Sequence, residues 1–277
     1  MVRYGTPVQR IVTDVLLILG LLISIFPFYW MIVMATNSTS AIYSVPPKLF
    51  FGGQLWINIT HVFQNINFLQ AFFNTLLVAC VVTVLTLFFC SIAGFTFAKF
   101  EFPGRNVLFT ILLGTIILPS GGALVASFVI MANLHWIGTF LPLIIPAMAP
   151  AFGIFWMRQY SLSAIHSDLI DAARIDGCKH LRLYWSVAVP ALRPALGFLG
   201  ILTFVTVWND YLWPLVVLNQ PQIYTLQVAL AQLNGIYNTD YSMVMAGTLL
   251  STIPLIILFF LGARQFIANI SAGALKF

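Results

Sequence analysis

The feature that most constrains this chain is a set of six long apolar runs separated by polar segments. A helix needs about 20 apolar residues, with a range of about 17 to 25, to cross the hydrocarbon core of a bilayer. Hydrophobic residues make up 61% of the chain and charged residues only 7%, whereas a soluble domain has about 25% charged residues. The sequence therefore predicts an all-α, polytopic membrane protein with six transmembrane helices. The predicted spans are Ile11 to Met34, Phe72 to Ala98, Val107 to Met131, Leu141 to Met157, Ala195 to Val217 and Met243 to Ala263.

The distribution of Lys and Arg predicts the orientation of these spans. If residues 1–10 lie in the cytoplasm, every basic residue except Lys48 falls on the cytoplasmic side, as the positive-inside rule requires. Both termini and the segment 167–190 are then cytoplasmic, and the loop 218–242 lies outside. The expected organisation is a cytoplasmic N-terminus (1–10), an uncleaved membrane domain (11–270) and a cytoplasmic tail (271–277).

The longest polar interval on the predicted cytoplasmic side runs from Ser167 to Pro190. Ser167 and Asp171 suit the start of a helix, because hydroxyl and carboxylate groups interact well with its free N–H groups and positive dipole end. Gly177 suits its end, because glycine adopts the left-handed conformation without steric cost. A second helix is expected to begin near Lys179.

The two predicted helices of this interval each have a distinct face. The first carries two small residues that permit close approach of another surface; that face consists of Leu169, Ala172, Ala173 and Asp176. The second carries an apolar stripe expected to pack on the rest of the chain; it consists of Leu181, Tyr184, Trp185 and Ala188. The pair would form a rigid elbow at the membrane surface, although an ordinary amphipathic loop fits the same pattern.

Prolines interrupt two of the apolar runs. Pro119 to Gly122 lies within the third run, and Pro142, Pro146 and Pro150 recur every four residues in the fourth. Each proline frees a carbonyl that protein or water must satisfy, so such helices favour an interior position over a lipid-facing one. The pattern is consistent with a translocation path, and equally with kinks that serve packing alone.

Several functions are disfavoured by the sequence. No G-x-x-x-x-G-K-[ST] motif occurs, so a P-loop for ATP is absent. The four histidines are scattered and form no catalytic or metal-ligating pattern, so we expect neither an enzyme nor a bound cofactor. Asp14 and Asp210 both lie away from the predicted midplane, which weakens the case for an ion-driven carrier.

Four tryptophans lie at or near the predicted outer surface. Indole prefers the level of the lipid headgroups, so an aromatic belt accounts for all of them without any chemical role. They are Trp30, Trp136, Trp208 and Trp213.

The elbow resembles a known motif. Asp171-Ala172-Ala173, then Asp176-Gly177, then Pro190 after a hydrophobic helix, is similar to the E-A-A…G…P loop of the membrane subunits of bacterial ABC importers, with Asp171 where that family more often has Glu. The likeness covers nearly the whole chain and is strongest to the second permease of sugar importers of the maltose, lactose and arabinose-oligosaccharide type. The other segments that carry it are Phe73 to Leu76, Phe97 to Arg105, Trp208 to Pro214 and Arg264 to Lys276.

The resemblance implies a type I ABC importer permease fold in the plasma membrane of a prokaryote. It implies an assembly with a homologous second permease, two ATPase subunits that bind ATP and Mg, and an extracytoplasmic solute-binding protein. The substrate would be a disaccharide or short oligosaccharide. The elbow would be the coupling helix that sits in a cleft on the ATPase, with Asp171, Ala172, Ala173, Asp176 and Gly177 as its coupling residues.

Two further sets of residues are candidates for contacts with partners or substrate. In the polar loop 218–242 the expected contacts with the binding protein are Asn234, Gly235, Tyr237 and Asn238, against the alternative of a solvated loop. In the fifth run Asn209 and Asp210 are candidates for the sugar path, against the alternative of a helix-packing hydrogen bond. The tail 271–277 would reach the ATPase interface.

A secondary carrier or channel that works without an ATPase is the main alternative function, and a membrane scaffold without a transport path is the third. Co-purification of an ATPase would distinguish an ABC importer permease from both of these alternatives.

Overall fold

All regular structure that the computed structural model describes is helical. It describes the backbone of residues 7–117, 120–235 and 239–274, and side chains at 8–117, 122–235 and 239–262. The α-helices in chain order are α1 (Pro7–Thr36), α2 (Thr39–Ile42), α3 (Leu55–Asn65), α4 (Phe68–Lys99), α5 (Arg105–Ile117), α6 (Leu124–Asn133), α7 (Leu141–Ile144), α8 (Ala151–Ala164), α9 (Ser167–Ile175), α10 (His180–Leu183), α11 (Val189–Trp208), α12 (Leu212–Val217), α13 (Leu226–Ala231) and α14 (Tyr241–Ala274). Short 3₁₀ turns occupy Ser120–Ala123, Pro146–Met148 and Pro221–Ile223, and a π-helical turn occupies Tyr184–Ala188.

Five helical stretches of the described chain are long and apolar enough to cross a membrane. They are Val8–Thr36, Phe68–Lys99, Leu141–Ala164, His180–Trp208 and Tyr241–Gly262. Their positions agree with five of the predicted runs, except that the fifth run begins at His180 and ends at Trp208 rather than spanning Ala195 to Val217. The elbow and the fifth span are therefore connected by continuous helix.

The third predicted span, Val107 to Met131, is not one long helix. It is divided between α5 and α6, which are both shorter than a membrane crossing requires. The 3₁₀ turn Ser120–Ala123 lies at the glycines that mark the interruption in the sequence, and Pro119 lies outside the described residues. The count of six spans stays a prediction.

The chain divides into two compact units, one of residues 1–68 and 230–253 and the other of residues 69–229 and 254–277. In the first unit, side-chain amides satisfy the carbonyls that end α1. Asn58 Nδ2 donates to the carbonyls of Ala35 and Asn37, and Asn37 Nδ2 donates to that of Val33, each at 2.9 Å. The last carbonyls of a helix have no partner within it, so these buried amides fix the end of α1.

The start of α14 is fixed in the same unit by Asp240. Its Oδ1 accepts hydrogen bonds from the backbone N–H groups of Ser242 at 3.1 Å and Met243 at 3.2 Å. Thr39 Oγ1 donates to the same oxygen at 2.5 Å. A carboxylate at this position meets both the free N–H groups and the positive end of the helix dipole.

In the second unit, one buried apolar cluster runs from the elbow into the spans. It includes Cys90 and Phe95 of α4, Met157 of α8, and Leu192 and Leu199 of α11. The elbow contributes Ile170, Ala173, Leu183, Tyr184 and Ala188 to the same cluster. The elbow therefore belongs to the folded core of this unit.

Trp208 corrects the prediction of an aromatic belt. Its side chain is fully buried, with ring centroids 5.4 Å from Phe72 and 5.5 Å from Phe204. A side chain with no exposed surface cannot sit among lipid headgroups, so Trp208 is a core residue of the second unit.

Candidate functional site

The elbow begins with α9, whose charges match the polarity of a helix. Asp168 lies in its first turn and Arg174 in its last, so each charge is near the helix end of opposite sign. Asp171 and Arg174 form an exposed i,i+3 ion pair of 3.4 Å. Such a pair contributes little to stability, and it leaves Asp171 on the accessible surface.

The end of α9 is a Schellman motif. Gly177 has a φ of +75° and donates its N–H to the carbonyl of Arg174 at 3.0 Å, while Cys178 donates to that of Ala173 at 2.9 Å. These are the two bonds that define the motif. The predicted stop at Gly177 is confirmed at the level of the backbone, and it reverses the chain toward α10.

The two faces of α9 differ from the predicted ones at Ala173. Ala173 and Ile170 are buried in the core of the second unit, since residues three apart share one side of a helix. Leu169, Ala172, Ile175 and Asp176 are exposed, and Ile175 has 87% of its surface accessible. The exposed face of α9 therefore includes Ile175 and excludes Ala173, whose small side chain permits close packing within the chain itself.

The second half of the elbow also differs from the prediction. Tyr184 and Ala188 are buried as expected, but Leu181 and Trp185 are 73% and 56% exposed. The side of this segment that meets the core carries Leu183, Tyr184 and Ala188, so the buried face is displaced from the predicted stripe. A π-helical turn occupies Tyr184–Ala188, and in it the N–H of Val189 bonds to the carbonyl of Tyr184.

A second candidate site lies where two helices of the second unit are broken. The fourth run is interrupted between α7 and α8, and the fifth is interrupted between α11 and α12. Pro146 has no N–H to offer the carbonyl of Pro142, and Trp213 Nε1 donates to that carbonyl instead, at 3.0 Å. Trp213 thereby replaces a missing backbone hydrogen bond and links the break between α11 and α12 to the break between α7 and α8.

Two cavities of about 230 Å³ and 450 Å³ open at these breaks. Asp210, Pro146 and Trp213 line both of them. The smaller one is also lined by Thr75 and Thr225. A carboxylate and an indole ring in the same cavity wall are suited to a ligand rich in hydroxyl groups.

Thr225 differs from the other polar residues of this site. Its side chain is 4% exposed, and its buried Oγ1 has no hydrogen-bond partner. In contrast, Thr75 Oγ1 accepts from the N–H of Leu226 at 2.7 Å and donates to the carbonyl of Ala71 at 2.9 Å. A buried hydroxyl without a partner is costly, and because this oxygen is enclosed by protein it presents no accessible hydrogen-bonding group to the cavity.

The structure separates the two residues that were predicted for the substrate path. Asp210 lines both cavities, whereas Asn209 lines neither of them. Asn209 is exposed, and its Nδ2 donates to the carbonyl of Val205 at 2.9 Å, beside the bond that its own backbone N–H makes to the same carbonyl at the end of α11. Thr225 and Trp213 were missed for this site. Trp213 had been assigned to the belt, and only the proline spacing of the fourth run pointed to a cavity wall.

The residues predicted for the binding-protein contact are only partly described. Asn234 and Gly235 are exposed after α13 in the first unit, and Asn234 Nδ2 donates to the carbonyl of Ala231 at 3.3 Å. Tyr237 and Asn238 lie outside the described residues, as do residues 275–277 of the predicted tail. Among the side chains that the structure does describe, no group of three His, Cys, Asp or Glu is arranged to hold a metal ion.

The chain is similar in sequence, over nearly its whole length, to two transport system permease proteins. The chain is 34% identical over 275 residues to the lactose transport system permease protein LacG of Rhizobium radiobacter, covering 98% of this chain and 99% of that protein. It is 30% identical over 272 residues to the arabinooligosaccharides transport system permease protein AraQ of Bacillus subtilis (strain 168), covering 97% and 96%.

The fold is shared with a solved structure, a bacterial ABC transporter involved in the import of the acidic polysaccharide alginate. The TM-score is 0.83 at 24% identity, covering 94% of this chain and 98% of the other. The sequence profile described as "Binding-protein-dependent transport system inner membrane component" matches residues 90–271, which include the elbow and the lining residues that follow it. The chain therefore belongs to the family of binding-protein-dependent transport system inner membrane components.

Proposed function

We propose that this chain is the permease subunit of an ATP-driven ABC importer that carries a disaccharide or short oligosaccharide into the cell, and that the elbow 167–190 couples it to a separate ATPase. The observation that carries the proposal is the two-sided elbow. One face of α9 is anchored in the core through Ile170 and Ala173, and the other is exposed through Leu169, Ala172 and Ile175.

The exposed face of α9 is suited to a protein partner. Ile175 and Leu169 are large apolar residues with 87% and 50% of their surface accessible, and the small Ala172 lies between them in sequence. Contiguous exposed apolar surface marks interaction sites. Because α9 ends in a Schellman motif and packs on the core, its surface is already ordered. Binding of a partner would therefore cost little conformational entropy in α9.

The proposed assembly contains a homologous second permease, two ATPase subunits with ATP and Mg, and an extracytoplasmic solute-binding protein. The orientation rests on the basic residues, which place the elbow and both termini in the cytoplasm. The loop 218–242 then faces the binding protein, with Asn234 and Gly235 among its exposed residues.

The proposed cycle is a rigid-body change between inward-facing and outward-facing states. ATP binding closes the ATPase pair, the elbow follows, and the permease pair reorients. Hydrolysis resets the assembly.

The substrate class is inferred from the relatives and the cavities together. LacG is named for lactose and AraQ for arabinooligosaccharides. In this chain Asp210 and Trp213 line both cavities. We assign these residues to the sugar path and assign Asn209 to the capping of α11.

The decisive experiment is reconstitution of the complex with its co-purifying subunits. Sugar-loaded binding protein should stimulate ATP hydrolysis and uptake together. Solute movement that persists without any recoverable ATPase, and that stops when an ion gradient is dissipated at constant ATP, would contradict the proposal in favour of a secondary carrier.

A substitution at the exposed face tests the elbow directly. Ile175→Glu should reduce the amount of ATPase that co-purifies, because it places a charge in the proposed apolar contact while leaving the core of the second unit intact. Ile175→Val is the matched control and should retain the ATPase. Equal recovery in both variants would exclude this face from the contact.

A further inference from the structure

One hydroxyl–hydroxyl contact joins the elbow to a membrane span. Tyr184 is the first residue of the π-helical turn and is 5% exposed. Its Oη lies 2.6 Å from Oγ of Ser91 on α4, a residue that is 1% exposed. The ring of Tyr184 also contacts Phe95, with centroids 6.3 Å apart. This is a polar bond inside the otherwise apolar cluster of the second unit.

The neighbours of Ser91 determine which hydroxyl donates. Ser91 Oγ lies 2.5 Å from the carbonyl of Leu87 and 3.1 Å from that of Phe88. Carbonyls only accept, and a serine hydroxyl has one proton, so that proton is engaged within α4. Tyr184 therefore donates to Ser91, and the bond connects the elbow to the backbone of α4 through a single shared serine.

The backbone at Tyr184 departs from regular α-helical bonding. Tyr184 opens the π-helical turn, in which the N–H of Val189 bonds to the carbonyl of Tyr184, and Pro190 directly after it has no N–H to donate. Single π turns inside helices often occur at functional sites. The hydrogen bond to Ser91 therefore joins α4 to the elbow at this irregular turn.

We propose that Tyr184 is a positioning residue for energy coupling, and that its hydrogen bond to Ser91 transmits displacement of α9 to α4. This inference rests on the proposed function. Ile170 and Ala173 of α9 lie in the same cluster as Tyr184, so a force applied to the exposed face of α9 reaches Tyr184 through packed side chains. The bond to Ser91 then converts that displacement into movement of the span.

The test is Tyr184→Phe, which removes one hydroxyl and keeps the ring, together with Ser91→Ala and the double variant. In the reconstituted complex we expect ATP hydrolysis to continue while the number of sugars imported per ATP falls about 2- to 10-fold, the range that one net hydrogen bond covers. The double variant should be no worse than either single variant, because all three lose the same bond. Tyr160→Phe is the matched control, since Tyr160 packs partly buried on the same cluster and should keep the normal ratio.

Three outcomes would overturn the inference. A normal ratio of sugar to ATP in Tyr184→Phe, measured beside an active wild-type complex, would remove Tyr184 from coupling. A lower melting temperature with an unchanged ratio would assign the bond a structural role only. An effect of equal size in Tyr160→Phe would show a general disturbance of the cluster. Absence of ATPase activity in the wild-type complex would instead remove the proposed function, and the inference with it.

Discussion

Gly94 on α4 and Met157 on α8 are in direct contact, so close that a Cβ on Gly94 would lie 2.6 Å from the Cβ of Met157. The same Cβ would lie 2.7 Å from the backbone nitrogen of Arg158. Because backbone atoms of α8 form part of the contact, a side chain at Gly94 could be accommodated only by moving the helix. The absence of a side chain at this position therefore sets the distance between α4 and α8.

We predict that Gly94→Ala lowers the free energy of unfolding by about 1–3 kcal/mol, the usual cost of overpacking. The measurement is the melting temperature of the detergent-solubilised protein. Gly114→Ala on α5 is the control, because a Cβ there would have no atom within 4 Å and alanine is the better helix former by about 1 kcal/mol. Equal melting temperatures for the two variants would contradict the described contact.

We predict that Gly177→Pro uncouples ATP hydrolysis from uptake. Proline holds φ near −65° and has no N–H, so it cannot adopt the φ of +75° or donate to Arg174. The disturbance is confined to the residues that follow α9, so the spans should remain intact. Membrane insertion and ATPase activity should persist as sugar uptake is lost. Gly177→Asn, which tolerates the left-handed conformation, should keep most of the uptake, and wild-type uptake by the proline variant would refute the assignment.

We predict that Asp240→Ala destabilises the start of α14 by about 0.5–2 kcal/mol, the usual cost of losing a helix cap. Asp240→Asn should cost less, because an amide oxygen can still accept from Ser242 and Met243. The two variants are compared by melting temperature. Equal losses in the two variants would indicate that the charge, rather than the acceptor, stabilises this end of the helix.

We predict opposite effects for two threonines of the smaller cavity. Thr225→Val removes a hydroxyl that has no partner, so the free energy of unfolding should stay the same or rise. Thr75→Val removes two hydrogen bonds, so the free energy of unfolding should fall by about 1–3 kcal/mol. The melting temperature is measured for both variants. A loss of stability in Thr225→Val as large as that in Thr75→Val would contradict the described difference in their hydrogen bonds.

The features that the sequence predicted correctly are those set by local chemistry. Gly177 ends α9 because a left-handed residue is needed there and few residues other than glycine adopt that conformation. The break in the fourth run follows from prolines that lack an N–H. Both signals lie within a few residues of the structure they determine.

The features that the sequence did not predict depend on distant contacts. Thr225 and Pro146 meet at one cavity although nearly eighty residues separate them, and only tertiary packing brings them together. The burial of Ala173 rather than Ala172 depends on which side of a nine-residue helix meets the core, which periodicity in so short a segment does not decide. The exposure of Leu181 and Trp185 likewise depends on which side of their helix meets the core.

The helical connection between the elbow and α11 makes the length of that connection a determinant of the elbow's direction. Each residue of an α-helix advances the chain by about 100° around the axis. Deleting one residue from the regular α-helical segment His180–Leu183 would therefore rotate α9 by about that angle relative to α11. Ile170 and Ala173 would leave the core, and Ile175 would no longer point outward. The number of residues between Gly177 and Pro190, as much as their identity, thus determines the direction in which the exposed face of α9 points.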